Sequence, residues 1–464
     1  MEIVRSSEFQ PTRALAEFAA SLSYDDLPAE VMDVTKRMIL DSLGTALAAT
    51  TLGDGCKESM SVMRELGGKP ESTILGIGEK VSAPNAAFAN GALVHALNYD
   101  PIGTHVGHLG VVCLAAPLAM AEAVGRVTGR EFLTASVVAC EITARVTAAV
   151  SRTGRPLSDK HLPGQILSYF GAAAGAARIL GLDAEKIRSA FGLALMQAAG
   201  SRQVVTSGDP PAKAIYGAFP NQAGVLAALL SRQGLGADCD VLGKPAGLLE
   251  MVYGGACDRD ALLGGLGTEF LLRDVSFKRW PTSGHVHPFI EAALEIGRNG
   301  LQPADIVAVE TVAHGSVRDW CEPIEKRRRP ENAAAAANSI PFCVAKALVR
   351  GEVRLADVTP QGLQDEQAIA VAQLTNYSLD DNIEGGIVRV ETRDGRKLEA
   401  HGAIPKGYRL RPVPLDQLAT KFRDCCGHLA VPLASGQVDV LVSTINELER
   451  LEDISLITRL AGGG

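Results

Sequence analysis

Apolar stretches rich in alanine and glycine recur through the first half of this chain, and they constrain its fold more than any other feature. Apolar residues within them return every three or four positions, which is typical of helices with a buried face. Small side chains let such helices pack closely together. The pattern predicts a core of helices near residues 110–126, 130–152, 165–181, 184–199 and 221–233.

Capping signals mark the ends of the predicted helices. Asp25-Asp26-Leu27-Pro28 predicts a helix start, with acidic residues at the cap and proline in the first turn. Gly125, Gly181 and Gly234 each follow an apolar run and predict helix ends. The region from residue 8 to 270 is therefore expected to be a series of helices.

The pattern changes near residue 272. Asp305–His314 alternates apolar and polar residues like a half-buried strand. Ile387–Glu391 and Lys397–Ala400 flank Asp394-Gly395, which predicts a hairpin with a type I′ turn. Helices are predicted near 283–297, 333–350 and 360–374, and the chain is helical again from Pro414 onward.

These patterns predict a mainly α protein with more than one domain, because 464 residues exceed the usual size of a single core. We expect an all-helical large domain built from residues 1–271 and 404–464. A smaller α+β domain, residues 272–403, is expected to be inserted between these two parts.

Composition narrows the class of protein. A net charge of -8 gives no support for nucleic-acid binding, and the longest uniform apolar run, 110–121, is shorter than the ~20 residues that span a membrane. The N-terminal residues do not resemble a signal peptide. Nine cysteines without a Cys-x-x-Cys pair predict reduced thiols in a cytoplasmic protein, with neither disulfides nor a zinc site.

The segment from His95 to His108 is the strongest candidate for a catalytic site. It holds three of the nine histidines, together with Asn98 and Asp100. Histidine titrates near neutral pH, so this segment suits acid/base chemistry. The alternative is a capping loop whose histidines only make hydrogen bonds. In particular, His105 and Thr104 are candidates for capping the helix that follows.

Several motifs also carry a family resemblance. They occur in a fixed order: Tyr24-Asp-Asp-Leu-Pro28, Asp41-Ser-Leu-Gly44, Asn90-Gly-Ala-Leu-Val-His95, Gly129-Arg-Glu-Phe-Leu133 and Phe277-Lys-Arg-Trp-Pro281. With them the chain resembles the MmgE/PrpD family, which contains 2-methylcitrate dehydratases, cis-aconitate decarboxylases and iminodisuccinate epimerase. The resemblance covers most of the chain. It implies a homodimer without metal or cofactor, with a site in the cleft between an all-helical domain and a smaller lid domain.

The resemblance also implies roles for individual residues. The key histidine of the family falls on His108, its lysine motifs fall on Lys213 and Lys278, and a downstream histidine falls on His287. Tyr216 belongs to the same motif as Lys213.

Other positions depart from the family pattern. Asn98 and Ile102 stand where the family usually has Asp and Thr, and the lid tyrosine of the decarboxylases has no clear counterpart near 322–326. His161 takes the place of a further family histidine only after a one-residue shift. Asp100 is a candidate for the missing carboxylate role, and a turn residue ahead of Pro101 is the alternative.

The lysines give the candidate site its substrate class. Lys213, Lys278 and Arg279 suit a polycarboxylate, because each charge-assisted hydrogen bond contributes about 1.5–3 kcal/mol. Surface cations beside ordinary acids are the alternative, and Arg279 faces away from Lys278 if the segment is extended. His285 and His287 could form a metal site with His108, but we expect no metal. The basic run 326–329 is expected to be a solvated loop, with steering of anions as the alternative.

The function expected from this set is a cofactor-free lyase for a small di- or tricarboxylate. It would remove or add water next to a carboxylate, with His108 as the main acid or base. Decarboxylation of a cis-aconitate-like acid is the nearest alternative. Asn98 and Ile102 favour a second hypothesis, an epimerase or isomerase, because epimerisation needs no acid for a leaving hydroxyl. A non-catalytic member of the family is the third class.

Overall fold

The structure is a computed structural model that describes residues 9–103, 105–153, 160–206, 210–237, 240–243, 245–298, 300–403 and 413–462. Over these residues the protein is mostly helical with little sheet, as predicted. The helices that precede residue 272 are α1 Pro11–Ser21, α2 Ala29–Leu52, α3 Cys56–Leu66, α4 Ala83–Ala96, α5 Leu109–Cys113, α6 Ala115–Val124, α7 Gly129–Ser151, α8 Pro163–Ile166, α9 Ser168–Ile179, α10 Ala184–Leu195, α11 Gln203–Thr206, α12 Ala218–Arg232, α13 Leu248–Tyr253 and α14 Arg259–Leu263. Two short strands, β1 Ser72–Thr73 and β2 Lys80–Val81, pair antiparallel among them, so the expectation of an all-helical first part was wrong over residues 72–81.

The later part of the chain mixes helices and strands. Its elements are α15 His287–Gly297, β3 Ile306–Ala313, α16 Ile324–Arg328, α17 Ala333–Ala337, α18 Ile340–Arg350, α19 Glu366–Gln373, β4 Thr375–Leu379, β5 Gly386–Thr392 and β6 Lys397–Gly402. Three helices follow: α20 Leu415–Cys426, α21 Gln437–Asn446 and α22 Ser455–Ala461.

Helix α7 lies at the centre of the first core. Thr128 and Glu131 form a capping box at its start, and every residue from Phe132 to Val150 is buried. The helix is long and apolar enough to cross a membrane, but its apolar part is wholly buried inside the protein, as core helices commonly are. It also carries a buried ion pair, Glu141–Arg145 at 2.7 Å.

The helices of this core pack through small residues, which confirms the expectation from the alanine- and glycine-rich stretches. A Cβ on Gly224 of α12 would come within 2.6 Å of the Ala173 nitrogen in α9. A Cβ on Gly91 of α4 would come within 2.6 Å of the Gly217 oxygen at the start of α12. Larger residues at these two glycines would force the helices apart.

Several predicted helix boundaries were wrong for local reasons. Pro28 is the N-cap of α2 instead of a first-turn residue, because Ser23 caps a separate 3-10 turn over Tyr24–Asp26. The helix predicted at 110–126 is divided at Leu114. The helix predicted at 333–350 is divided because Ser339 caps a new helix, α18.

The four-stranded sheet has the order β4-β3-β5-β6, with β4 parallel to β3 and the other pairs antiparallel. The predicted strand and hairpin are present, but β4 was not predicted. The type I′ turn was also wrong. The connection between β5 and β6 has four residues, and a positive φ occurs at Gly395 (85°) but not at Asp394. The Thr392 nitrogen donates to the Arg396 oxygen at 3.0 Å and closes this loop.

The buried apolar residues form two clusters. The first runs mainly from Leu15 to Phe277 and is completed by residues of α20 to α22. The second runs from Trp280 to Ala400 and lies between the four-stranded sheet and the helices beside it. The domain boundaries near 272 and 403, and the lid role of the smaller part, stay predictions.

Candidate functional site

A buried carboxylate between two imidazoles forms the centre of the candidate site. The Nδ1 atom of His95 lies 3.1 Å from Oδ1 of Asp100, and Nδ1 of His108 lies 2.9 Å from Oδ2. Asp100 is fully buried, whereas 17% of the His108 side chain is exposed. We call these three residues the His-Asp-His cluster. It brings together His108 and Asp100, which were predicted site residues, with His95, which had no assigned role.

Helix packing places His95 in the cluster. This residue is in the last turn of α4, and the Gly91–Gly217 contact brings α4 directly against the start of α12. The Tyr216 ring, immediately before Gly217, therefore lies 3.9 Å from the His95 ring. The sequence places His95 in the same histidine-rich segment as Asp100 and His108. It does not show that Tyr216 packs on His95, because these two residues are distant in the chain.

The loop after α4 turns back on itself to present Asp100. Asn98 adopts a left-handed backbone conformation with φ of 50°, which Asn tolerates better than most residues. Gly110 permits the tight return, since a Cβ there would lie 2.6 Å from the Pro101 ring. Ile102 exchanges backbone hydrogen bonds with Ser276 at 3.0 and 2.7 Å. That pairing brings the 276–278 segment onto the loop.

Lys278 reaches the cluster through this pairing. Its Nζ donates to the backbone oxygen of Asn98 at 2.6 Å and to Oδ1 of the same residue at 2.7 Å. The ammonium lies 3.8 Å from Oδ1 of Asp100. Burial lowers the pKa of Lys278 to about 8, with Asp100 opposing the effect and Lys213 adding to it. Lys278 thus remains mostly protonated at neutral pH.

The electrostatics of the His-Asp-His cluster favour an ionised carboxylate and neutral imidazoles. Burial by itself raises the pKa of Asp100. The interactions of Asp100 with His108, His95 and the Lys278 ammonium outweigh burial and hold that pKa well below its usual 3.8. Burial lowers the pKa of His108 below 6.5 and the pKa of His95 to about 3, although Asp100 opposes both effects.

These protonation states define which nitrogen of His108 is basic. An ionised carboxylate only accepts hydrogen bonds, so Nδ1 of each imidazole carries the hydrogen. The Nε2 atom of His108 then carries the unshared electron pair, and 17% of this side chain is exposed. The Nε2 atom of His95 is buried and has no hydrogen-bond partner among the described residues. His108 is therefore the acid/base candidate, and His95 orients the carboxylate.

Lys213 and Tyr216, which were predicted to bind substrate, lie beside the cluster. Lys213 is buried in the 3-10 turn Pro211–Lys213, and its charge lowers the pKa of both histidines. Tyr216 is buried, and burial raises its pKa well above 10.0. Its hydroxyl packs closely on Gly164, where a Cβ would lie 2.8 Å away.

His161 precedes that contact by three residues. It forms an isolated antiparallel bridge with Ser201 and is half-buried. The structure thus places the segment that contains His161 near the cluster, since a Cβ on Gly164 would lie 3.2 Å from Cδ2 of His108. The catalytic role of His161 stays a prediction.

Asn338, Trp320 and His285 come from the part of the chain that forms the second core, and they connect to the site through Asn98. Sequence analysis named only His285 among them. The Nδ2 atom of Asn98 lies 3.4 Å from Oδ1 of Asn338, which also accepts a hydrogen bond from Trp320 at 3.2 Å. The Trp320 ring lies 4.3 Å from the ring of His285. One side of His285 is open to solvent, but the surrounding protein lowers its pKa to about 4. No sequence signal marks Asn338 or Trp320.

Two predicted residues lie away from the cluster. Arg279 is exposed, with its guanidinium 5.0 Å above the Trp280 ring, and it lines a separate surface cavity of about 680 Å³. The Nε2 atom of His287 is 3.3 Å from the Trp280 oxygen, and burial lowers the pKa of His287 to about 3. His287 is therefore buried outside the cluster, although the charge of Lys278 contributes to its lowered pKa.

Other polar candidates have local partners. The Nδ1 atom of exposed His105 lies 3.3 Å from Oγ of Ser151, and Thr104 lies outside the described residues. The basic run 326–329 is not uniformly solvated, because Arg327 is buried and Arg328 donates to the Thr375 oxygen at 3.0 Å. The expectation of a solvated loop was wrong for these two residues.

The His-Asp-His cluster has the spacing of a potential metal site, since its three ligand atoms lie within 4.8 Å of one another. However, both Nδ1 atoms already bond to Asp100, and the Lys278 ammonium lies 3.8 Å from the same carboxylate. A cation would have to compete with that ammonium. The arrangement suits acid/base chemistry better, and independence from metal stays a prediction.

The fold and the site define a class: mostly helical proteins in which a buried histidine, a carboxylate and lysines meet between two apolar cores. The family follows from sequence comparison. Residues 13–259 match the MmgE/PrpD N-terminal domain, and residues 280–442 match the MmgE/PrpD C-terminal domain. The chain therefore belongs to the MmgE/PrpD family, which confirms the resemblance in its motifs.

Relatives of known name match over nearly the whole chain. The chain is similar to the cis-aconitate decarboxylase-like protein oryM of Aspergillus oryzae and to the cis-aconitate decarboxylases of Aspergillus terreus and Homo sapiens, at 24% identity in each case. Each alignment covers 97% of this chain and 97%, 95% and 94% of the respective relative.

Proposed function

We propose that this protein is a cofactor-free lyase that removes or adds water at a carbon next to a carboxylate of a small di- or tricarboxylate. The observation that carries the proposal is the pairing of His108 with buried Asp100 beside two buried lysines. Membership of the MmgE/PrpD family supports a lyase of this kind.

The geometry suits abstraction of a proton from carbon. Neutral His108 accepts the proton at Nε2, and the negative charge of Asp100 stabilises the imidazolium that forms. The carbon–oxygen bond then breaks, and the leaving hydroxide takes a proton to become water. His108 can return the proton it accepted, so the step balances without a further reagent.

The lysines suit the carboxylates of the substrate. Lys213 and Lys278 are positive groups at the edge of the cluster, and charge-assisted hydrogen bonds from them offset the desolvation of a bound carboxylate. Asn98 holds Lys278 with neutral oxygens only. The ammonium therefore keeps more of its attraction for an anionic substrate than it would beside a second carboxylate.

Two alternative reactions have specific support. Decarboxylation of a cis-aconitate-like acid is favoured by the names of the relatives. Epimerisation of a substituted succinate is favoured by Asn98, whose amide neither donates nor accepts a full proton, because epimerisation needs no acid for a leaving hydroxyl. All three reactions use the same His108–Asp100 pair.

NMR in heavy water tests the proposal directly. The full-length protein is incubated separately with 2-methylcitrate, cis-aconitate and substituted succinates. A new alkene signal from a hydroxy acid, or its loss on hydration, supports the proposal. Loss of carbon dioxide identifies a decarboxylase, and deuterium exchange without a new product class identifies an epimerase. Inactivity on all of them, with no binding by calorimetry, favours the non-catalytic class and contradicts the proposal.

We also propose that the protein works in the cytoplasm as a homodimer joined through its helical part. Large apolar side chains are exposed there, with Met196 82% exposed, Met251 62% and Leu235 50%. They line a surface cavity of about 700 Å³. Association of two copies would remove this apolar surface from water. The eight cysteines among the described residues are free, in keeping with a reducing compartment.

A further inference from the structure

A third lysine, which is almost buried, lies behind the site and has no part in the chemistry described so far. Lys421 projects from α20, and its Nζ lies 2.7 Å from Oδ1 of Asp41 in α2. The Lys421 side chain is 9% exposed, and the Asp41 side chain is not exposed. Burial raises the pKa of Asp41 and Lys421 opposes that rise, so the lysine favours the ionised form of its partner.

The ammonium of Lys421 holds two segments of the site by their backbones. Its Nζ donates to the oxygen of Tyr99 at 2.8 Å and to the oxygen of Lys278 at 3.3 Å, and it lies 3.5 Å from the centre of the Tyr99 ring. Tyr99 stands between Asn98 and Asp100 in the chain. One ammonium thus joins the loop that carries the carboxylate to the segment that carries Lys278.

The hydrogens of Lys421 are fully used inside the protein. An ammonium has three donors, and these serve Asp41, Tyr99 and Lys278. None is left for a substrate. A buried ion pair of this kind contributes little net stability, because desolvation offsets most of the Coulomb attraction. Its effect on the position of neighbouring groups is therefore of greater interest.

We propose that Lys421, with Asp41 as its counter-ion, is a positioning residue that holds Lys278 against Asn98 and Asp100 and sets the charge around that lysine. This inference rests on the proposed function for its kinetic consequences only. The position and the titration of Lys278 can be measured whether or not the substrate is known.

The charges around Lys278 determine the direction in which its pKa should change in each variant. Asp100 and Asp41 raise the pKa of Lys278, and Lys213 and Lys421 lower it. His285 and His287 also lie within range of this ammonium, but their lowered pKa values leave them neutral near pH 7. Removing Lys421 should therefore raise the pKa of Lys278, and neutralising Asp41 should lower it.

The experiment uses the full-length protein labelled with ¹³C at lysine Cε, with the Lys278 signal assigned by Lys278→Arg. We expect the Lys278 titration to move to higher pH in Lys421→Met and to lower pH in Asp41→Asn. On a substrate that is turned over, kcat/KM of Lys421→Met should fall about 10- to 100-fold, because small displacements of a positioning group slow catalysis strongly.

Lys346→Met is the matched control. Lys346 is also buried, and it pairs with Asp357 and Asp365 in the second core at 3.1 and 2.9 Å. This variant should leave both the Lys278 titration and kcat/KM unchanged. An equal change in the control would overturn the proposal, since general destabilisation would then explain the result.

Lys421→Arg covers the case in which Lys421→Met does not fold. It keeps the charge but presents planar donors in place of a compact ammonium. We expect an unchanged Lys278 titration and a lower kcat/KM. An unmoved Lys278 titration in folded Lys421→Met, or wild-type kcat/KM in Lys421→Arg, would overturn the proposal. Absence of turnover in the wild-type protein contradicts the proposed function instead, and the NMR titration still decides the role of Lys421.

Discussion

The substitution Asn98→Asp tests how the side chain at position 98 controls the pKa of Lys278. It is nearly isosteric, and Asp tolerates the left-handed backbone at this position almost as well as Asn. The new carboxylate would place a negative oxygen where the amide oxygen now lies, 2.7 Å from Nζ of Lys278. An opposite charge this close typically shifts a pKa by about 1 to 3, which corresponds to about 1.4–4 kcal/mol in favour of the ammonium.

The lower end of that range is expected here. The new carboxylate is buried, which costs free energy, and it shares Lys278 with Asp100 at 3.8 Å. We therefore expect the pKa of Lys278 to rise from about 8 by about 1 to 2. If its ammonium holds the substrate, activity falls as pH rises through that pKa. The alkaline limb of kcat/KM should accordingly move to higher pH in Asn98→Asp.

The assay is a pH profile of kcat/KM, combined with NMR titration of lysine labelled with ¹³C at Cε. An alkaline limb that stays in place or moves to lower pH would refute the reasoning, because the added charge has only one sign. The product spectrum of the variant is a second result. If the wild-type protein proves to be an epimerase, recovery of dehydration or decarboxylation in the variant would show that Asn98 alone had changed the reaction. Complete loss of activity would show that a neutral amide is required.

Four further predictions follow from the site and the surface. His108→Ala should lower kcat about 10²–10⁴-fold with substrate affinity within several-fold, whereas His401→Ala on the exposed edge strand should leave both unchanged; wild-type kcat/KM in His108→Ala would remove the site assignment. Lys213→Ala should weaken substrate binding and slow turnover, as measured by calorimetry and steady-state kinetics, and unchanged KM and kcat would contradict its role. Activity should persist after chelation, and a loss restored by one specific divalent ion would contradict metal independence. Light scattering at micromolar concentration should give the mass of a dimer, and a monomer mass would contradict the proposed assembly.

Much of the helical part could be predicted, because it depends on local patterns. The three- and four-residue spacing of apolar residues located α7, α10 and α12, and glycine after an apolar run marked the end of α6. Predicted helix boundaries were wrong where a cap or a turn interrupts the apolar periodicity, as at Leu114 and Ser339. Strand β4 was missed because three of its five residues, Thr375, Asn376 and Ser378, are polar, which leaves little apolar pattern directly after the helix predicted at 360–374.

The site was predictable only in part, for a different physical reason. His108, Asp100 and Asn98 occur in one short segment, so their proximity follows from the chain. Lys278 joins them through the Ile102–Ser276 pairing, which sequence spacing does not reveal. Asn338 and Lys421 come from still more distant parts of the chain and belong to no motif that marks them.

The packing of α20 on α2 has a consequence for the synthesis of this protein. Gly44 of α2 lies so close to Phe422 of α20 that a Cβ would come within 2.8 Å of its ring. Asp41 and Lys421, which meet at the same contact, are 380 residues apart in the chain. At roughly 5–20 residues per second, the ribosome takes about 20–75 s to cover that interval. During this time the apolar face of α2 that α20 will cover stays open to other nascent or misfolded chains. Chaperone supply and translation rate are therefore expected to influence the yield of folded protein.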